Sequence, residues 1–252
     1  MSATLDIRDF EDYLSSTACR FLQQRGTRTP VTESDIAACC SNGASDGIKL
    51  SPTQAEHLRV FAGLRYQPFG ADPNFYSSCF EDWAYPDHPY QRGIISEKGD
   101  WSVGRFVTGT FGEEGLWMGL DGSLSDDCTI DRILVHESLV KPIECDAAIW
   151  DTAQPHLGVA WIREGVPLDE FQARIPGDLI EHASDDLNCV FRSRDTLCLW
   201  TGWEAAFTRK YSIGYLRGSR LEICSSSPIC FDEIIKSLDA AGVLLDSSHA
   251  AK

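Results

Sequence analysis

Trp101-Ser-Val-Gly-Arg-Phe-Val-Thr-Gly-Thr-Phe-Gly-Glu-Glu-Gly-Leu-Trp-Met-Gly-Leu120 is the stretch that decides the fold class. Two short β-like runs, 101–107 and 116–120, flank the turn-like Gly112-Glu-Glu-Gly115, which is the pattern of a β-hairpin. Further short strands are predicted at 130–135, 147–150, 159–162, 189–191, 197–200, 211–216 and 221–224. Strand and helix do not alternate along this region, so parallel βαβ units are not expected. The sheet should be largely antiparallel, with helices before and after it.

Working back from the hairpin, the first 65 residues read as helical. Ile7, Phe10, Leu14, Ala18, Phe21 and Leu22 recur at steps of three and four, predicting one helix over 5–25. Asp6, Asp9, Glu11 and Asp12 suit its first turns, Arg20 and Arg25 its last, and Gly26 its stop. A shorter helix is expected after Thr32. Another starts at Ser51-Pro-Thr-Gln54, where serine caps, proline takes the first turn and glutamine closes a capping box. Leu58, Phe61 and Leu64 should face inward.

Between these helices and the hairpin, residues 66–90 hold eight aromatics and prolines 68, 73, 86 and 89, where aromatics make up 10% of the whole chain. Such proline spacing prevents a regular helix or central strand, so 66–100 is expected to be an ordered loop. It either covers the helix–sheet junction with its own side chains or presents Trp83 and Tyr85 as anchors for a partner. After the sheet region a short helix at 168–174 stops at Pro176. A last helix starts at Ser227-Pro228, uses Ile229, Ile234, Ile235 and Leu238, and ends at Gly242. The expectation is one α+β domain over 1–245, with a possible seam at 167–176 and a flexible tail at 246–252.

Length and composition narrow the class. The 252 residues are 43% hydrophobic and 24% charged, ordinary for a soluble globular chain that buries roughly 70–75% of its unfolded surface. No apolar run approaches the ~18 residues of a membrane span, and the acidic N-terminus lacks a signal-peptide core. Ten cysteines in a chain this size do not read as a disulfide framework. Cys189 and Cys198 sit in apolar stretches as small hydrophobes, so a reducing cytoplasm is the expected compartment.

Formal charge is −16, and it is unevenly spread. Residues 113–186 hold 17 acids against the four bases Arg132, Lys141, Arg163 and Arg174, while 201–252 is balanced. Nucleic acid is a poor ligand for such a surface, because phosphate contacts need a basic stripe. A basic protein is the natural counterpart.

Motifs for chemistry are weak. Gly43-Ala-Ser-Asp-Gly47 has the spacing of a nucleophile elbow, but a helical stretch precedes it and an extended one follows, the reverse of what Ser45 would need. Asp121-Gly-Ser-Leu-Ser-Asp-Asp127 opens like a calcium loop, yet Asp126 stands where the turning glycine belongs and Arg132 where the closing glutamate belongs. No C-x-x-C, H-x-H, H-E-x-x-H or P-loop occurs, so neither a metal nor a cofactor is expected.

These readings converge on a non-catalytic acidic protein that inhibits a basic toxin or enzyme by occlusion, in the manner of an immunity protein. Its partner-binding residues would be Glu113, Glu114, Asp121, Asp126, Asp127, Asp131, Asp185 and Asp186, with Trp83 and Tyr85 as anchors. One alternative is a small hydrolase or transferase using His57, Cys79, Asp82, Asp87 and His88. Another is an acidic chaperone or adaptor for a secreted protein.

Overall fold

The computed structural model describes residues 5–29, 32–34, 51–67, 77–79, 94–95, 101–102, 105–107, 116–119, 121–126, 133–152, 156–203, 206 and 218–245. These form an α+β fold in which every strand pairing is antiparallel, as the hairpin pattern predicts. The chain divides into two compact units, Met1–Trp150 and Asp151–Lys252.

In the first unit the expected helix over 5–25 is broken in two. A 3-10 turn covers Ile7–Asp9, and α1 is confined to Ser16–Arg25. Ser15 takes the N-cap position, its Oγ accepting from Ala18 N at 3.2 Å, so the first turn of α1 is satisfied there. The apolar stripe survives the break: Phe10, Leu14, Ala18, Phe21 and Leu22 are all buried.

The helix α2 spans Pro52–Phe61 and starts with the predicted capping box. Gln54 N donates to Ser51 Oγ at 3.1 Å, and Ser51 N donates to Gln54 Oε1 at 3.0 Å. Leu58, Phe61 and Leu64 are fully buried.

The first 65 residues are not wholly helical. β1 (Gly26–Arg28) follows α1 directly and pairs with β2 (Leu64–Tyr66). Each begins where a helix has just ended, so a ladder joins the two helix exits. Strands also enter the expected loop, as β3 (Ser77–Cys79) and β4 (Ile94–Ile95). β4 pairs with β5 (Trp101–Ser102), which is separate from β6 (Arg105–Val107). The predicted hairpin is β6 with β7 (Leu116–Met118), in the register Arg105↔Trp117. β8 (Leu124–Ser125) and β9 (Leu134–His136) complete a sheet of order β1-β2-β3-β6-β7-β8-β9.

The strand predicted at 147–150 is instead part of α3 (Val140–Thr152). This helix is enclosed on nearly every side, with Pro142, Ile143, Glu144, Cys145, Ala147 and Ala148 buried and no residue of it exposed. Proline near the start suits this, since the first turn needs no donor from it. Tyr66 Oη donates to Asp146 on α3 at 3.0 Å, and the Phe21 ring lies 5.4 Å from Tyr66 and 5.7 Å from Trp150.

The second unit is one five-stranded sheet with a helix packed on one face. It holds β10 (His156–Arg163), β11 (Asp178–Leu179), β12 (Asn188–Arg192), β13 (Thr196–Thr201) and β14 (Gly218–Ser225), in the order β10-β14-β13-β12-β11. Period-2 alternation selects its buried face: Ala160 and Ile162, Cys189 and Phe191, Cys198, and Leu221 and Ile223 form one core. Short α4 (Leu168–Gln172) adds Phe171 to that core, and α5 (Pro228–Ala240) adds Ile234 and Leu238. The 167–176 stretch thus lies inside the second unit. The strand predicted at 211–216, the helix after Thr32, Ser45 and the tail 246–252 lie outside the described residues.

Candidate partner-binding surface

The described acidic positions Asp121, Asp126, Asp185 and Asp186 fall on turns and strand connections, each built for a different reason. In the first unit, β7 and β8 are joined by a turn in which Gly119 N donates to Ser123 O at 2.8 Å and Gly122 N to Gly119 O at 3.0 Å. Asp121 is exposed, and its Oδ1 accepts from Ser123 N at 3.0 Å and Ser123 Oγ at 2.6 Å. That is an Asx-type turn, the local bonding that makes aspartate favourable at such a position. The turn rests on α2: a Cβ on Gly122 would lie 2.9 Å from Thr53 Cγ2 and 3.0 Å from His57 Cε1.

Asp126 is half-buried and bound to its own loop. Its Oδ1 accepts from Ile133 N at 2.6 Å, and its N donates to Ile133 O at 3.0 Å, pinching the connection between β8 and β9. Leu124 and Ser125 form a strand here, so the Asp121–Asp126 run does not wrap as a calcium loop does. Among the described residues no cluster of three His, Cys, Asp or Glu could hold a metal ion.

In the second unit Asp185 is turned inward. It is buried, and its Oδ1 accepts from Leu187 N at 2.9 Å, Asn188 N at 2.7 Å and Asn188 Nδ2 at 3.2 Å. This carboxylate organises the turn into β12, while Asp186 beside it is exposed.

Sequence reasoning gave less weight to the exposed acids before it. Seven acids and one arginine lie between Glu164 and Asp186, and Glu164, Asp169, Glu170, Asp178, Glu181 and Asp186 are all exposed. They lie on α4 (Asp169, Glu170), on the outer strand β11 (Asp178) and on the connections around them. Counting acids per connection would have found them. Glu113, Glu114, Asp127, Asp131, Trp83 and Tyr85 lie outside the described residues.

Of the alternative catalytic set, His57 is half-buried against Met118, with Nδ1 3.4 Å from the Met118 sulfur, and its ring centroid is 6.0 Å from that of Phe61. Burial pushes its pKa below the usual histidine value, partly opposed by Glu56, so it stays neutral at pH 7. Cys79 is paired through its backbone with Phe106 in the sheet. Asp82, Asp87 and His88 lie outside the described residues.

Cys19, Cys145, Cys189, Cys198 and Cys224 are buried with free thiols. Burial pushes the Cys189 and Cys224 thiols up to about 11 and Cys198 to about 12, the opposite of what a nucleophile needs. No described helix is long and apolar enough to cross a membrane.

No protein family, curated protein or solved structure matches this chain.

Proposed function

We propose that this chain is a non-catalytic acidic binding protein that inhibits a basic protein partner, in the manner of an immunity protein. The observation that carries this reading is the row of acids between Glu164 and Asp186, six of them exposed on α4, on β11 and on the connections around them in one unit. Carboxylates on exposed turns can pair with the Arg and Lys of a toxin or enzyme that normally contact its substrate. A field of one sign accelerates encounter and orients the partner, and salt weakens both effects. Asp121 adds an outward carboxylate on the first unit. The aromatic segment with Trp83 and Tyr85 would supply anchors, since Tyr and Trp dominate binding hot spots. A basic partner inside the cytoplasm fits the same reading.

The test is capture of partners from native cell lysate on the immobilised chain across a salt series, repeated with Asp178→Asn/Glu181→Gln/Asp186→Asn. The expected result is one basic protein held stoichiometrically, released by salt, and bound more slowly by the triple variant with a flatter salt dependence. Unchanged association by that variant, or an empty eluate at low salt, would defeat the proposal.

A further inference from the structure

A groove of about 470 Å³ opens on the second unit between the end of α4, the β12–β13 turn and one face of α5. That volume falls within the ~300–1,000 Å³ typical of small-molecule sites. Ile175 and Ile234, both nearly buried, give it an apolar floor. Its walls carry four charges: Arg174 after α4, Arg194 and Asp195 in the turn, and Glu233 on α5.

All four charged side chains are exposed, and no hydrogen bond or ion pair among the described residues engages any of them. The unit's other described arginines are committed. Arg192 pairs with Asp151 at 2.8 Å, Arg220 with Glu222 at 2.8 Å, and Arg163 donates to the Leu244 carbonyl at 3.2 Å. Both arginines left without a partner therefore line this one groove.

The charge pattern selects a ligand class. A simple anion would meet Asp195 and Glu233 in the walls and the field of a chain with net charge −16. A simple cation would meet two guanidinium groups. A ligand bearing one charge of each sign escapes both penalties, because each of its ends finds an opposite charge and its net charge is near zero.

We propose that this groove binds a short zwitterionic peptide. Arg174 and Arg194 receive its terminal carboxylate, Asp195 and Glu233 its ammonium, and its side chain lies on Ile175 and Ile234. Planar guanidinium forks suit a carboxylate, and the apolar floor suits a branched aliphatic side chain. This site is independent of the acidic surface proposed above.

Cys230 supplies the readout, because it lines the groove and is half-exposed whereas Cys189, Cys198 and Cys224 in the same unit are buried. The full chain is treated with iodoacetamide, an uncharged alkylating agent, and modification at Cys230 is followed by mass spectrometry of its peptide. The probes are alanyl-leucine, N-acetyl-alanyl-leucine and alanyl-leucinamide, each at millimolar concentration. Alanyl-leucine should slow alkylation saturably, and either capped form should bind roughly fivefold more weakly, the scale of one exposed charge pair.

In the Arg174→Ala/Arg194→Ala variant the penalty for amidation should vanish, and in Glu233→Gln the penalty for acetylation should shrink. Unchanged urea midpoints would show that both variants are folded. Absence of protection by alanyl-leucine would overturn the proposal. So would equal protection by all three probes, which indicates apolar contact alone, or a preference for the acetylated probe, which indicates an anion site.

Discussion

Glu144, on α3, holds Ser15, the cap of α1: its Oε1 accepts from Ser15 N at 2.6 Å and its Oε2 from Ser15 Oγ at 2.7 Å. The carboxylate is 2% exposed and 129 residues distant in sequence from its partner. It converts what the apolar pattern reads as one helix into two segments with a defined entry into α1. Removing Glu144 strands the part-buried Ser15 N–H and its hydroxyl, at about 1–3 kcal/mol, whereas losing the cap hydroxyl alone costs about 1 kcal/mol. Glu144→Ala should therefore lower the urea midpoint more than Ser15→Ala. The double variant should cost less than the two single losses added together, as a double-mutant cycle would record.

Acid should destabilise the first unit partly through His57. Desolvation lowers its folded pKa below the ordinary histidine value of about 6.5. A histidine depressed in the folded state contributes stability above its unfolded pKa and loses it as pH falls through ~6.5 toward the folded value. Thermal unfolding between pH ~7.5 and ~5.5 should show a drop that is smaller in His57→Leu. An identical drop in both proteins would mean that other groups account for it.

Two glycines at positive φ should respond differently to alanine. Gly177, at φ 109°, turns the chain into β11, and a Cβ there would land on the Arg192 carbonyl group. Gly165, at φ 81°, has nothing within 4 Å of that position. Gly165→Ala should cost about 1–2 kcal/mol of backbone strain, and Gly177→Ala distinctly more, because strain and collision add. Chemical denaturation of the two variants in parallel gives the ranking.

Alkali should loosen the second unit. Folding raises the thiols of Cys189 and Cys224 from 9.0 to about 11 and Cys198 to about 12. Groups with raised folded pKa values contribute stability that is full below the unfolded pKa and lost as pH rises toward the folded one. The urea midpoint should fall progressively above pH ~9, and Cys198→Ala, Cys189→Ala and Cys224→Ala together should flatten the fall. In the native protein at pH ~8, Cys230 should react with thiol reagents well before these three.

Local signals in the sequence were faithful where bonding partners are near. Ser51 and Gln54 are three residues apart, and their capping box forms as written. The β6–β7 hairpin follows from a turn-like glycine pair between two apolar runs. Legibility failed where a side chain or ladder answers to something distant. Ala147 to Trp150 is a short apolar window that suits either period, and only its place within the enclosed helix α3 decides it. β1 and β2 are three residues each, and their pairing is set by where two helices end. Asp185 and Asp186 look alike in sequence, yet one carboxylate is consumed by the backbone of Leu187 and Asn188 and the other faces water.

The two larger sheets differ in when the growing chain can complete them. In the first unit sheet order follows chain order, so each strand emerging from the ribosome finds its neighbour already made. In the second, β10 comes first but its neighbour among the described strands is β14, the last strand. While β11, β12 and β13 zip in sequence, β10, with Val159, Trp161 and Ile162, waits for residues 218–225 to be synthesised. A nascent chain halted before Gly218 therefore carries β10 without the strand that pairs with it along its length. Sticky intermediates and recruitment of chaperones belong to that interval rather than to the finished protein.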